Sequence, residues 1–274
     1  MNDQDMKMLA EQARKIRLLA LEGIYCAKSG HPGGSLSAAD IISYLYFYKM
    51  NHSAETPNDP DRDRFVLSKG HAAPALYGAL ALAGYFPVES IKTLRKPDSF
   101  LQGHPNMRDV PGVDMSTGSL GQGVSAACGI AAAGKRTGRT YRTYCITGDG
   151  ESQEGQVWEA AMFASHYKLS GLTLFLDYNN LQIDGKVSDV MDVAPLDKKY
   201  EAFGWHVQTI DGHDFAAIDA AVTAAEWDER PSVIICNTIK GKGVSYMENA
   251  AGWHGKAPNA EEYAVAVREL GGEL

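Results

Sequence analysis

Apolar positions along the chain alternate between two spacings. Near the start, Met6, Leu9, Ala13, Ile16 and Ala20 recur every three or four residues among charges of both signs, which predicts an amphipathic helix rather than a signal peptide. Short strand-like runs at Phe65–Leu67, Tyr144–Thr147, Leu172–Leu176, His206–Ile210 and Val233–Thr238 predict strands. Helical stretches such as Val157–His166 and Phe215–Trp227 separate them. Strands alternating with helices predict an α/β fold, a parallel sheet flanked by helices on both faces. Two long uncharged stretches, Ala72–Val88 and Ser116–Gly134, are broken by Pro, Gly, Ser or Gln, so they predict buried helices rather than membrane spans. No internal repeat or linker-like tract interrupts residues 1–274, and one domain is the expectation.

In parallel sheets ligands gather beyond the carboxyl ends of the strands. The residues that follow the predicted strands are unusual: Ser68-Lys69-Gly70-His71, Gly148-Asp149-Gly150, Asp177 to Asn180, and Thr238 to Gly243. Asp149 and Asn179 each follow an apolar strand, and the 30 positions between them fit one helical crossover. A carboxylate and an amide oxygen are hard donors suited to Mg²⁺ or Ca²⁺, with substrate phosphate completing the shell. Either segment alone could be an ordinary turn; the ordered pair after two strands favours a metal–diphosphate site.

Histidines sit beside glycine in four loops: Gly30-His31, Gly70-His71, Gly103-His104 and His254-Gly255. Imidazoles in such loops can donate, accept and shuttle protons on hydroxyls and carbonyls. His52, His166, His206 and His213 are assigned structural places, and no Cys/His spacing supports zinc. Thr117 to Gly123 opens an Ala-rich helix; its free amides could hold an anion, or its small residues could serve close packing. The order GxxGxG is not a dinucleotide fingerprint, and Gly129 to Arg136 lacks the Ser or Thr of a P-loop. Lys240 is either part of a solvated turn or a point charge for a phosphate. Asp59 to Arg64 is expected to be a solvated loop.

Charge and cysteine content narrow the partners. A formal net charge of −8 argues against a general electrostatic grip on nucleic acid or anionic membranes. Four dispersed cysteines without a CxxC pair, mostly in apolar surroundings, predict buried thiols in a reducing cytoplasm.

The ordered segments SGHPGGSLSAAD at 29–40, DRFVLSKGHAAPALY at 63–77, GHP at 103–105, STGSLGQG at 116–123, GDGESQEG at 148–155, NNLQIDG at 179–185, TIKGKG and GWHGKAP resemble the N-terminal, diphosphate-binding part of transketolase. The resemblance covers nearly the whole chain. It implies thiamine diphosphate held through Mg²⁺, or Ca²⁺ as a substitute, on Asp149, Asn179 and the Leu181 carbonyl. It further implies cofactor contacts at His71, Gly118, Leu120, Gly150, Lys240 and His254, with Ile183 beside the thiazolium and Glu154 as an interface acid. His31, His71, His104 and His254 would serve the sugar substrate as catalytic groups. The implied reaction moves a two-carbon ketol unit from a ketose phosphate to an aldose phosphate, as in pentose phosphate interconversion.

In this family the glutamate that activates the cofactor belongs to a pyrimidine-binding domain that follows the diphosphate-binding one, and neither it nor the C-terminal domain is expected in this chain. The expectation is a natural split subunit, inactive alone and completed by a C-terminal subunit in an α₂β₂ assembly; a truncated form is the alternative. Two other functions stay in view: a related thiamine diphosphate enzyme for a different ketose or a sulfosugar, and a non-catalytic scaffold that only binds cofactor.

Overall fold

The computed structural model describes residues 1–273. Its strands are β1 (Arg64–Leu67), β2 (Thr143–Gly148), β3 (Leu172–Tyr178), β4 (Leu181–Gln182), β5 (Gly185–Lys186), β6 (His206–Asp211) and β7 (Ser232–Asn237). Its helices are α1 (Asp3–Ala27), α2 (Pro32–Ser37), α3 (Ala39–Tyr44), α4 (Ala73–Leu82), α5 (Gln122–Thr137), α6 (Gly155–His166), α7 (Val187–Val190), α8 (Leu196–Ala202), α9 (Phe215–Trp227) and α10 (Ala260–Glu269). Five strands form one parallel sheet in the order β1-β2-β3-β7-β6. All five fall on the strand-like runs of the sequence.

Alternation along each strand builds two cores, because successive side chains point to opposite faces. Phe65, Tyr144, Ile146, Phe175, Ile234 and Cys236 face a layer that contains α1, α3, α4 and α9. Val66, Cys145, Leu174, Leu176, Val233 and Ile235 face α5, α6 and α8. A smaller cluster around Leu36, Val244, Met247 and Leu270 joins the C-terminal helix to the first. Helix α1 buries Leu9, Ala13, Ile16 and Ala20 as its periodicity requires, with Met6 only partly covered. Its N-terminus is closed by a capping box from Asn2 and its C-terminus by Lys28 in the left-handed region.

Several expectations are corrected. The 116–134 stretch is helical only from Gln122, and α5 leaves Gly129 and Ala133 exposed, since small apolar residues do not by themselves demand burial. Asp59 to Arg64 is not simply solvated. Arg62 pairs with the nearly buried Asp114, and Asp63 accepts the Asn51 and Arg142 amides at 2.8 and 2.7 Å. Of the four free cysteines, Cys26 is exposed and the other three are buried. No helix among the described residues is long and apolar enough to cross a membrane.

Candidate functional site

Strand register assembles the site. Gly148 lies opposite Asp177, and Asp177 opposite Cys236, so the segments leaving β2, β3 and β7 emerge side by side. Leu67 is level with Ile146, which brings Ser68 to His71 to the same edge. There a cleft of about 340 Å³ is lined by His31, His71, Gly118, Leu120, Asp149, Gly150, Glu154, Asn179, Leu181, Ile183, Lys240 and His254. These are the residues singled out from sequence, with one exception: His104 is absent from the lining and packs its ring against Gly118, near the rim. Glu154 is exposed, and Ile183 is 68% exposed at the cleft mouth.

The acid–amide pair is held by its own backbone. Asp149 accepts the Gly150 amide at 2.7 Å and also the Asn180 amide, while Asn179 Oδ1 accepts the Leu181 amide at 3.2 Å. Burial and the neighbouring Asp177 charge push the Asp149 carboxyl up to about 6. After Asn180 the chain turns through a positive φ of 59° into the β4–β5 hairpin, which the apolar pattern does not predict. Among the described residues no group of three His, Cys, Asp or Glu side chains is arranged to hold a metal.

Lys240 is buried, which settles its choice against the solvated turn. Its Nζ donates to the Leu181 carbonyl at 2.8 Å and to His254 Nδ1 at 3.0 Å. An ammonium can only donate, so the proton of neutral His254 sits on Nε2. Burial and the charge of Lys69 lower the Lys240 pKa to about 8. The rings of His31, His71 and His254 form a triangle with centroids 5.1–5.4 Å apart. Burial first, then surrounding positive charge, depresses His31 to about 4, His254 to about 3 and His71 well below its ordinary value. His104 is lowered as well, by burial and Arg95.

Four participants receive no individual role from the sequence, although Lys69 and Asp177 lie in the strand-end segments noted there. Asp177, fully buried at the end of β3, accepts from Lys69, from Ser37 Oγ at 2.6 Å and from Thr238. Lys69 is itself 2% exposed and donates to the Gly34 carbonyl at 2.8 Å. Glu151 accepts the Ser68 hydroxyl at 2.5 Å and the Gly121 and Gly148 amides at 2.8 and 3.0 Å. Arg95 donates to Ser29 Oγ at 3.0 Å and sets its charge near His31 and His104. A charge closing an otherwise apolar run, as Asp177 does in LTLFLDY, is the available signal for the first. Glycines admit the close approaches: Gly118 has φ 149°, and a Cβ there would meet the His104 ring at 3.0 Å.

Fold and cleft together define a cofactor-binding α/β protein whose site lies at the carboxyl edge of a parallel sheet. The chain belongs to the transketolase family: residues 8–273 match the family described as "Transketolase, thiamine diphosphate binding domain". It is 49% identical over 263 residues to the 6-deoxy-6-sulfo-D-fructose transketolase subunit SqwG of Clostridium sp. (strain MSTE9), with 96% of each chain covered. It is 41% identical to an apulose-4-phosphate transketolase subunit of Phocaeicola vulgatus, covering 97% of this chain and 94% of that one. Among solved structures, transketolase from Campylobacter jejuni superposes with a TM-score of 0.93 at 36% identity, over all of this chain and 44% of that one. The chain therefore spans under half the length of that transketolase chain and nearly the full length of the two subunits.

Proposed function

We propose that this chain is the thiamine diphosphate- and Mg²⁺-binding subunit of a two-polypeptide transketolase, which transfers a two-carbon ketol unit from a ketose to an aldose. The carrying observation is the convergence of Asp149, Asn179, Lys240 and three neutral imidazoles on one cleft. The donor set fits the cofactor. A buried carboxylate whose pKa is raised to about 6 is short of positive charge, and two side-chain oxygens leave a Mg²⁺ shell to be completed by a diphosphate. Asp149, Asn179 and the Leu181 carbonyl would hold the metal. Lys240 and the backbone at Gly118, Leu120 and Gly150 would hold the diphosphate, and Ile183 would cover the ring.

When bound, thiamine diphosphate supplies the carbanion stabilisation that breaking and making a C–C bond requires. This chain's residues bind and orient. His254, its Nδ1 occupied by Lys240, offers an Nε2 proton to a substrate oxygen, and His31 and His71, kept neutral, can accept or donate beside it. His104, beside Arg95, would meet a sugar hydroxyl. A second polypeptide supplies the glutamate for the pyrimidine ring, with Glu154 facing it from the exposed rim, in an α₂β₂ assembly. Buried free thiols fit a reducing, cytoplasmic setting.

The SqwG relative favours a specific second reading of the substrate, a 6-deoxy-6-sulfoketose in place of a ketose phosphate. The test is ketol transfer with thiamine diphosphate and Mg²⁺, by the chain alone and mixed with its candidate partner, with both donor types. Activity only in the mixture is expected. Activity of the chain alone contradicts the divided site, and an active mixture that tolerates Asp149→Ala and His104→Ala makes the chain a scaffold.

A further inference from the structure

The loop after β7 carries Lys240 into the cleft, and it is pinned on the cleft side by contacts already at the site. Thr238 donates its hydroxyl to Asp177, the Lys240 carbonyl accepts the Asn249 amide at 2.9 Å, and the Gly241 amide donates to the Gly33 carbonyl at 3.0 Å. One further restraint comes from behind. The Ile239 amide donates to His213 Nε2 at 2.9 Å, and His213 Nδ1 lies 2.6 Å from Asp40 Oδ2. Asp40 is 5% exposed and accepts from both terminal guanidinium nitrogens of Arg17, at 3.1 and 2.5 Å. Arg17 Nε donates to the Leu36 carbonyl at 3.1 Å, so the chain of contacts ends on rigid backbone.

The protons in this chain are fixed by donor chemistry. A backbone N–H can only donate, so His213 Nε2 presents its lone pair, and the ring proton lies on Nδ1 facing the carboxylate. One tautomer satisfies all three groups. We propose that His213 is a positioning residue: oriented by Asp40, its Nε2 holds the Ile239–Lys240 peptide so that Lys240 Nζ reaches the Leu181 carbonyl and His254. The consequence for catalysis rests on the reading of Lys240 as a diphosphate partner given above. His213 touches nothing in the cleft and acts only through the loop.

Two near-isosteric variants separate this role from mere pairing with Asp40. In His213→Gln the amide oxygen falls near the Nε2 position and keeps an acceptor for Ile239. In His213→Asn the amide falls near Nδ1 and keeps a donor for Asp40, leaving the Ile239 amide without its partner. Hydrogen–deuterium exchange of the full chain, read on peptides spanning residues 238–243, should accelerate about tenfold in His213→Asn and change little in His213→Gln. Thiamine diphosphate affinity with Mg²⁺, measured by titration calorimetry on the same proteins, should weaken about tenfold in the first only. Equal exchange in the two variants, or faster exchange in His213→Gln, overturns the proposal. Exchange that separates as expected while affinity stays constant supports His213 as the loop's anchor and overturns the diphosphate reading of Lys240. On the unmutated chain, long-range ¹H–¹⁵N spectra should report a neutral His213 ring protonated at Nδ1; an Nε2-protonated ring contradicts it.

Discussion

Asp149 combines a hard oxygen donor with an environment that resists its negative charge, the condition under which a bound cation has most to neutralise. Replacing it with Asn keeps the shape and one oxygen but removes the charge. Asp149→Asn should therefore weaken Mg²⁺-dependent thiamine diphosphate binding by about 100-fold or more in calorimetry, with the fold retained by circular dichroism. The clustered imidazoles make a different prediction. His31 and His254 titrate near 4 and 3 in the folded chain against an ordinary 6.5, so between those limits the unfolded chain binds more protons. Their stabilising contribution is complete above about pH 6.5 and is lost as pH falls toward the folded values. At pH 5 this loss amounts to about 1 kcal/mol for each, after discounting for partial solvent access. Asp149, raised to about 6, opposes the trend by taking up a proton in the folded state first. The testable quantity is the difference: the fall in Tm from pH 7 to pH 5 should be smaller in His254→Gln than in the parent chain. Individual site residues are legible in sequence because glycine beside histidine, and acid after strand, are chemically unusual. Arg95 and Glu151 are not, because a charged residue in a polar loop looks the same whether it is solvated or folded inward.

At the scale of elements, the start of α5 shows how a helix is brought against a strand end. A Cβ at Gly123 would lie 2.5 Å from Ser68 Cα, with no flexible side chain to yield, whereas one at Gly129, on the same helix, would meet nothing within 4 Å. Gly123→Ala should cost about 1–3 kcal/mol in urea denaturation and lift the Thr117–Gly121 loop from the cleft. Gly129→Ala should stabilise the isolated chain by roughly 0.5–1 kcal/mol through helix propensity alone. Of the two readings left open for Thr117 to Gly123, close packing holds at Gly123, and Glu151 takes the Gly121 amide and Ser68 Oγ the Val124 amide, while Gly118 and Leu120 still line the cleft. The same element-level view explains the β4–β5 hairpin. Its two-residue strands are too short for a periodic signal, and only the positive φ at Asn180 redirects the chain over the metal-ligand candidates.

Across the whole molecule, Asp177 and Lys69 tie together segments that sequence keeps far apart: α2 through Ser37 and Gly34, the end of β1, the end of β3 and the end of β7. Both are shut off from solvent, with side chains 0% and 2% exposed. Asp177→Asn leaves a buried ammonium without its counter-charge and should cost about 3–5 kcal/mol in chemical denaturation, with the cleft lost alongside the fold. The sequence by itself determined the five strands of the parallel sheet, the parallel α/β class, the family and most of the cleft residues. Those follow from local periodicity and from residue types that only a ligand site needs at strand ends. Tertiary structure alone decided that Lys240 is buried, that the histidines are held neutral, and that Asp40 and His213 stand behind the loop carrying Lys240. Each of these depends on desolvation and on partners tens or hundreds of positions away, and neither quantity exists until the sheet has set its register.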